Sequence, residues 1–164
     1  MGMELIETVP VGAGGEASIT FSSIAADWTD LKIVLSLRAE ASGTNVGLIQ
    51  FNGSSADFSM LLLQGDGSND SSASYPNNYA GIFGGSTMTA NTFGNTSIYI
   101  PNYASSAAKS FSTDAVTENN ATLAYQNIQA GLWNNAAAIT SISLAFVSGG
   151  DWAEHSTASL YGIS

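Results

Sequence analysis

The stretch Leu31-Lys32-Ile33-Val34-Leu35-Ser36-Leu37-Arg38 decides the fold class. Successive side chains of an extended chain point to opposite sides, so Leu31, Ile33, Leu35 and Leu37 share one face, while Lys32, Val34, Ser36 and Arg38 form the other, mostly polar face. The same two-residue alternation returns on both sides of it. Ala17, Ile19 and Phe21 alternate with Ser18, Thr20 and Ser22, and Ile142, Leu144 and Phe146 alternate with Ser141, Ser143 and Ala145. Weaker strands are expected near Glu4–Val9, Val46–Phe51, Phe58–Leu63, Tyr79–Phe83, Thr96–Ile100, Lys109–Val116, Leu123–Leu132 and Ala158–Ile163, roughly ten or eleven strands in all. Gly, Asn, Asp and Ser punctuate them, as at Gly12–Gly15, Gly84–Ser86, Gly94-Asn95, Asn134-Asn135 and Gly149–Asp151; these residues end strands at little cost. The Ser-, Asn- and Gly-rich stretch Gly65–Asn78 reads as an exposed loop, and Ser23–Trp28 as a single helical turn. Many short strands with one wet face predict an all-β fold, an antiparallel, jelly-roll-like β-sandwich, in which two amphipathic sheets bury their apolar faces against each other.

The 164 residues are expected to form one domain, residues 1–164. Only 10% of them are charged, against about 25% in ordinary soluble proteins, so the wet surface must be built from Ser, Thr, Asn and Gly. With 3 basic and 13 acidic side chains the net charge is −10, which repels nucleic acid and anionic membranes, and neither is expected as a partner. There is no cysteine, hence no disulfide framework and no thiolate chemistry. With Gly left out, no apolar run exceeds four residues, Met60–Leu63 being one, far short of the ~20 that span a bilayer. Met1-Gly2-Met3-Glu4 carries an acid where a signal peptide has its basic region, and Ile6 stands where a myristoylation motif needs Ser or Thr.

Candidate chemistry is sparse. His155 lies in Asp151-Trp152-Ala153-Glu154-His155-Ser156, but neighbours in sequence are not a triad, whose members must converge in space. One histidine without cysteine disfavours zinc. Asp66, Ser68 and Asp70 have the spacing that opens a calcium loop, yet Ser71 replaces its glycine and Asn77 its bidentate glutamate. The acids are scattered, with no pairing suited to glycoside hydrolysis. Trp28, Trp133 and Trp152, with Tyr75, Tyr79, Tyr99, Tyr103, Tyr125 and Tyr161, serve either as sugar-stacking platforms or as core and contact rings, and the second reading is the stronger in a sandwich. Sequons at Asn52, Asn69, Asn95 and Asn120 are expected by chance in so Asn- and Ser-rich a chain. No catalytic, cofactor-binding or metal-ligating residue is expected, and the chain is not expected to be an enzyme.

Four further strings carry a resemblance: Glu118-Asn119-Asn120-Ala121-Thr122, the run Tyr125–Trp133 (YQNIQAGLW), Ala138-Ile139-Thr140-Ser141-Ile142-Ser143-Leu144, and the ending Ser156–Ile163. With Ile98-Tyr99-Ile100-Pro101-Asn102-Tyr103 before them, they resemble tailed-phage virion structural proteins, of the capsid-decoration and tail-fibre-like kind. The resemblance covers the second half of the chain and, less strongly, the first; it implies a sandwich and no active site. It also implies a capsid decoration, or cement, protein on the outer capsid surface of the virion, whose partners are the major capsid protein and itself, as a homo-oligomer and most simply a trimer. The alternative is a tail or tail-fibre receptor-binding module that recognises host surface glycans. A compact chain that opens almost directly on a strand favours decoration over a long repetitive fibre. Strong acidity fits the outside of a DNA-filled shell.

Overall fold

The computed structural model describes residues 2–120 and 124–164. Among them, twelve strands follow one another: β1 (Met3–Pro10), β2 (Ile19–Phe21), β3 (Asp30–Leu37), β4 (Thr44–Phe51), β5 (Phe58–Gly65), β6 (Asp70–Tyr75), β7 (Tyr79–Gly84), β8 (Gly94–Ile100), β9 (Lys109–Glu118), β10 (Ala124–Trp133), β11 (Ile142–Phe146) and β12 (Thr157–Ile163). They make two antiparallel sheets that face each other as a sandwich. The larger has the order β1-β12-β3-β8-β9-β10-β5-β6, the smaller β2-β11-β4-β7. No described residue is helical.

The decisive alternation holds in space. Leu31, Ile33, Leu35 and Leu37 on β3 are buried, as are Ile142 and Leu144 on β11, and one apolar cluster joins the two sheets. Each such side chain contributes roughly 1.5–3 kcal/mol relative to exposure. Rings fill both ends of the layer between the sheets. Phe51, Phe58, Phe111 and Trp133 meet edge-on or stacked with centroids 5.4–6.2 Å apart, and Phe83, Phe146 and Trp152 form a second group. Phe111 lies across Gly131, its partner on β10: a Cβ there would stand 2.2 Å from the ring. Trp28 covers Gly162 in the same manner, at 2.3 Å.

Two expectations are corrected. Gly65–Asn78 is not one irregular loop, because Asp70–Tyr75 pairs with β5 from Gly65↔Asp70 to Met60↔Tyr75 and ends the large sheet. A strand at the sheet's edge with most side chains in water needs no apolar alternation, so its serines disguise it. Ser23–Trp28 contains no helical turn. Ser23 takes φ 55°, and the Ile24 amide donates to Thr140, which ties this segment to the chain leading into β11 instead of to itself. The expected strand start at Leu123, and Ala121-Thr122 of the quoted strings, lie outside the described residues.

The sheets differ in width, and this positions the site. β7, at one edge of the small sheet, lies against β8 and β9 and touches β10. β5 and β6 therefore reach past the small sheet, and their inward residues Leu62, Gln64, Ala73 and Tyr75 are only partly covered.

Candidate functional site

β10 carries its pattern inside out. Ile128, Ala130 and Leu132 have the two-residue spacing of a core face, yet they point to solvent, while Asn127, Gln129, Gly131 and Trp133 point inward and are buried. Trp133, 1% exposed among Phe51, Phe58 and Phe111, brings far more apolar area to the core than Ile128 or Leu132 would. Since a one-residue slip would reverse every side chain of a strand, burying Trp133 obliges Ile128 and Leu132 to face outward. β5 meets this outer face with two more leucines. Leu63 stands opposite Ile128 and Leu61 opposite Ala130. Leu61, Leu63, Ile128 and Leu132 are 60%, 61%, 48% and 39% exposed. Leu61, Leu63 and Ile128 line a shallow groove of about 700 Å³, and Leu61 and Leu132 a second one of about 280 Å³ beside it.

The rim of this patch is made of hydroxyls. Ser72 and Ser74 on β6 stand opposite Leu63 and Leu61, and Ser110 and Ser112 on β9 stand opposite Leu132 and Ala130. The one acid in direct register is Asp114, beside Ile128. Such a face can be covered by another surface without stripping water from many charges, since apolar area leaves water favourably and serines re-pair with little loss.

The residues singled out in the sequence are dispersed by the fold. His155 is exposed with φ 70°, and the neighbouring Ser156 is fully buried, its hydroxyl accepting from the Arg38 amide and donating to the Arg38 carbonyl. That hydroxyl is occupied by the backbone, so the pair is no nucleophile and base. Asp66 closes the β5–β6 hairpin: its Oδ1 accepts from the amides of Asn69 at 2.6 Å and Ser68 at 2.8 Å. The Asn69 and Ser68 hydrogen bonds hold its carboxyl below the ordinary range. The calcium-like spacing is thus a turn, followed at once by a strand. Trp133, Trp152 and Tyr103 are core rings, and Trp28 is laid on Gly162. Tyr99 is exposed and donates to Asp30 at 2.6 Å, and that bond raises its phenol above the ordinary value. Asn52 is a loop staple: its amide donates to Ala138 and its carbonyl accepts from Thr140 and Ser141. Among the described residues no three His, Asp or Glu side chains converge as a metal-binding group.

The chain matches no protein-family model, no curated protein and no solved structure. Its site therefore rests on geometry.

The apolar outer face is what the sequence reading missed. Its signal was present in two places. Met60-Leu61-Leu62-Leu63 is apolar without alternation, which an amphipathic strand with one wet face does not need, and Asn127-Ile128-Gln129 sets amides against an apolar side chain in a segment that ends in tryptophan. Read with Trp133 taken as the inward residue, the alternation yields the outward face directly.

Proposed function

We propose that this chain is a non-catalytic virion protein of the capsid-decoration kind, which docks on the outer surface of a shell of major capsid proteins through the outer face of β5 and β10. The observation that carries the reading is the inverted strand. Four large apolar side chains, Leu61, Leu63, Ile128 and Leu132, are held in water on a rigid sheet where an ordinary wet face would carry polar residues. Contiguous exposed apolar surface with a polar rim is the mark of a protein contact. The phage-like strings supply the class of partner, and one of them, Tyr125–Trp133, lies wholly within β10. A net charge of −10 suits a surface turned away from packaged DNA.

A homo-oligomer, most simply a trimer, belongs to the same proposal. β6 and β1 end the large sheet, and β2 and β7 the small one, so each has unpaired backbone groups that a closed assembly can cover. The alternative of a receptor-binding module that stacks glycans on exposed indoles draws less support, because Trp133 and Trp152 are 1% and 0% exposed.

The experiment is co-sedimentation of the purified chain with virions or shells stripped of it. The double variant Leu63→Thr, Ile128→Thr changes only exposed positions, keeps strand-forming side chains and adds no charge beside Asp114, so it should keep its melting temperature and lose shell binding by more than about tenfold, equivalent to more than ~1.4 kcal/mol. Undiminished binding by the folded double variant overturns the docking face. Labelling at the tail tip on intact virions overturns the capsid assignment.

A further inference from the structure

The strand that turns Ile128 and Leu132 outward turns two amides inward. Asn127 and Gln129 are 3% and 4% exposed. Gln129 Nε2 donates to Asn127 Oδ1 at 2.5 Å, and Asn127 Nδ2 donates to Gln64 Oε1 at 3.3 Å, so the three side chains form a chain leading from the interior toward the open end of the sandwich. Its inner end is unsatisfied. Gln129 Oε1 is buried without a partner, and so is the hydroxyl of Thr113, which stands opposite Gln129 on β9. Buried polar atoms are nearly always hydrogen-bonded, and of these two residues Gln129 also lines an open space beside the amide chain.

There is space for an occupant. Where β5 and β6 run past β7, a cleft of about 220 Å³ opens between the sheets, and Gln129, Asn127, Gln64, Tyr75 and Tyr79 line it. Gly81 forms part of the wall. The two tyrosine rings are 5.4 Å apart and tilted by 57°, and the Tyr79 hydroxyl accepts from Asn77 at 2.9 Å. No lining side chain carries a charge at neutral pH.

We infer that this cleft binds one neutral sugar ring. The amide chain leaves an acceptor at its inner end, Gln129 Oε1, and a donor at its outer end, Gln64 Nε2, which suits a ring bearing several hydroxyls, and the tyrosines suit the C–H side of a pyranose. The absence of charge in the lining disfavours an ionic ligand, since its desolvation would go uncompensated. The volume lies under the ~300 Å³ at which drug-sized pockets begin, so the site takes a single ring and no longer chain. The cleft is on the opposite side of the sheet from the apolar face, and the inference stands apart from shell docking.

The test is an NMR titration of the full chain with glucose, galactose and N-acetylglucosamine, with glucuronate and glycerol as comparisons. The side-chain amide signals of Gln64, Asn127 and Gln129 should move saturably in the millimolar range with at least one neutral sugar, while the methyl signals of Leu63 and Ile128 stay in place. Gln64→Ala, at a half-buried position, should weaken that binding about tenfold without lowering the melting temperature, as loss of one polar contact does. Amide signals that no neutral sugar moves, that glycerol moves equally, or that glucuronate moves at lower concentration each overturn the inference.

Discussion

Lys109 shows how a charge is used where charges are few. Its side chain is 1% exposed, and Nζ donates to the carbonyls of Ala107 at 2.5 Å, Ala137 at 2.7 Å and Asn135 at 3.3 Å, 5.8 Å from the Trp133 ring. Burial pushes the ammonium below its ordinary value, and the three carbonyls supply the acceptors that a buried cation needs. Lys109→Met keeps the stem and orphans those carbonyls, so it should cost about 1–3 kcal/mol in urea denaturation. Arg38 and Glu118 brace the segment between β7 and β8 from both sides. The guanidinium donates to the carbonyls of Met88, Thr89 and Thr92, while the carboxylate accepts from the Thr89 amide at 2.6 Å and from the hydroxyls of Thr89 and Thr92. Burial raises the Glu118 carboxyl, but the bonds from Asn120, Thr89 and Thr92 outweigh it, and the net shift is downward. A depressed carboxyl stabilises the fold above its unfolded value, about 4.3, and this contribution is lost as pH falls through the lower folded value. The melting temperature of Glu118→Gln should accordingly lie below that of the parent at pH 7, and the gap should close on acidification past pH ~4.

Strand pairing at the scale of single elements is governed by rings and glycines in register. Gly131 faces Phe111 across the β9–β10 ladder, and the ring occupies the place of the missing side chain. Gly131→Ala should cost about 1–3 kcal/mol by overpacking, read as a lowered denaturation midpoint. An unchanged midpoint would show that Phe111 is free to move aside. On β3, Leu35 is 1% exposed, and Leu35→Ala should cost about 2–5 kcal/mol, the lost transfer energy plus a cavity. β10 shows that pattern alone does not orient a strand. Its two faces are nearly balanced in small and polar residues, and the end residue Trp133 decides between them because its indole packs on the core rings Phe51 and Phe58.

The unequal width of the sheets sets the behaviour of the whole molecule. The small sheet runs from β2 beside β1 to β7 against β8, β9 and β10, leaving β5 and β6 as a projecting wing, with the apolar patch outside and the amide cleft inside where they join β10. On the proposed reading, a protein that binds only the assembled shell adds RT ln(1 + [L]/Kd) per site, about 2.7 kcal/mol at a free concentration of ~100 Kd. Particles lacking the chain should then release DNA at lower temperature than complete ones, followed by a dye that reports free DNA. Light scattering on the purified chain should show an oligomer, and a strict monomer both in solution and on virions would remove the trimer.

What the sequence determined by itself was the class of fold and the main core. Leu31–Leu37 and Ile142–Phe146 repeat every two residues with strongly apolar side chains on one side, and such a face has one favourable place to go whatever its neighbours are. The edge strand β6 stayed hidden because its exposed serines carry no burial signal, and its hydrogen bonds come from β5, a partner that local composition does not name. The outward turn of Ile128 and Leu132 was only hinted at by the unalternating Met60–Leu63 and by Trp133 at the strand's end, and the buried amide chain behind them belonged to the tertiary structure alone. Which face of β10 is inside depends on what Trp133 meets there: Phe51 and Phe58 reach it from two other strands, and Phe111 packs on both of them. A face is defined by what packs against it, and no window along the chain contains that neighbour.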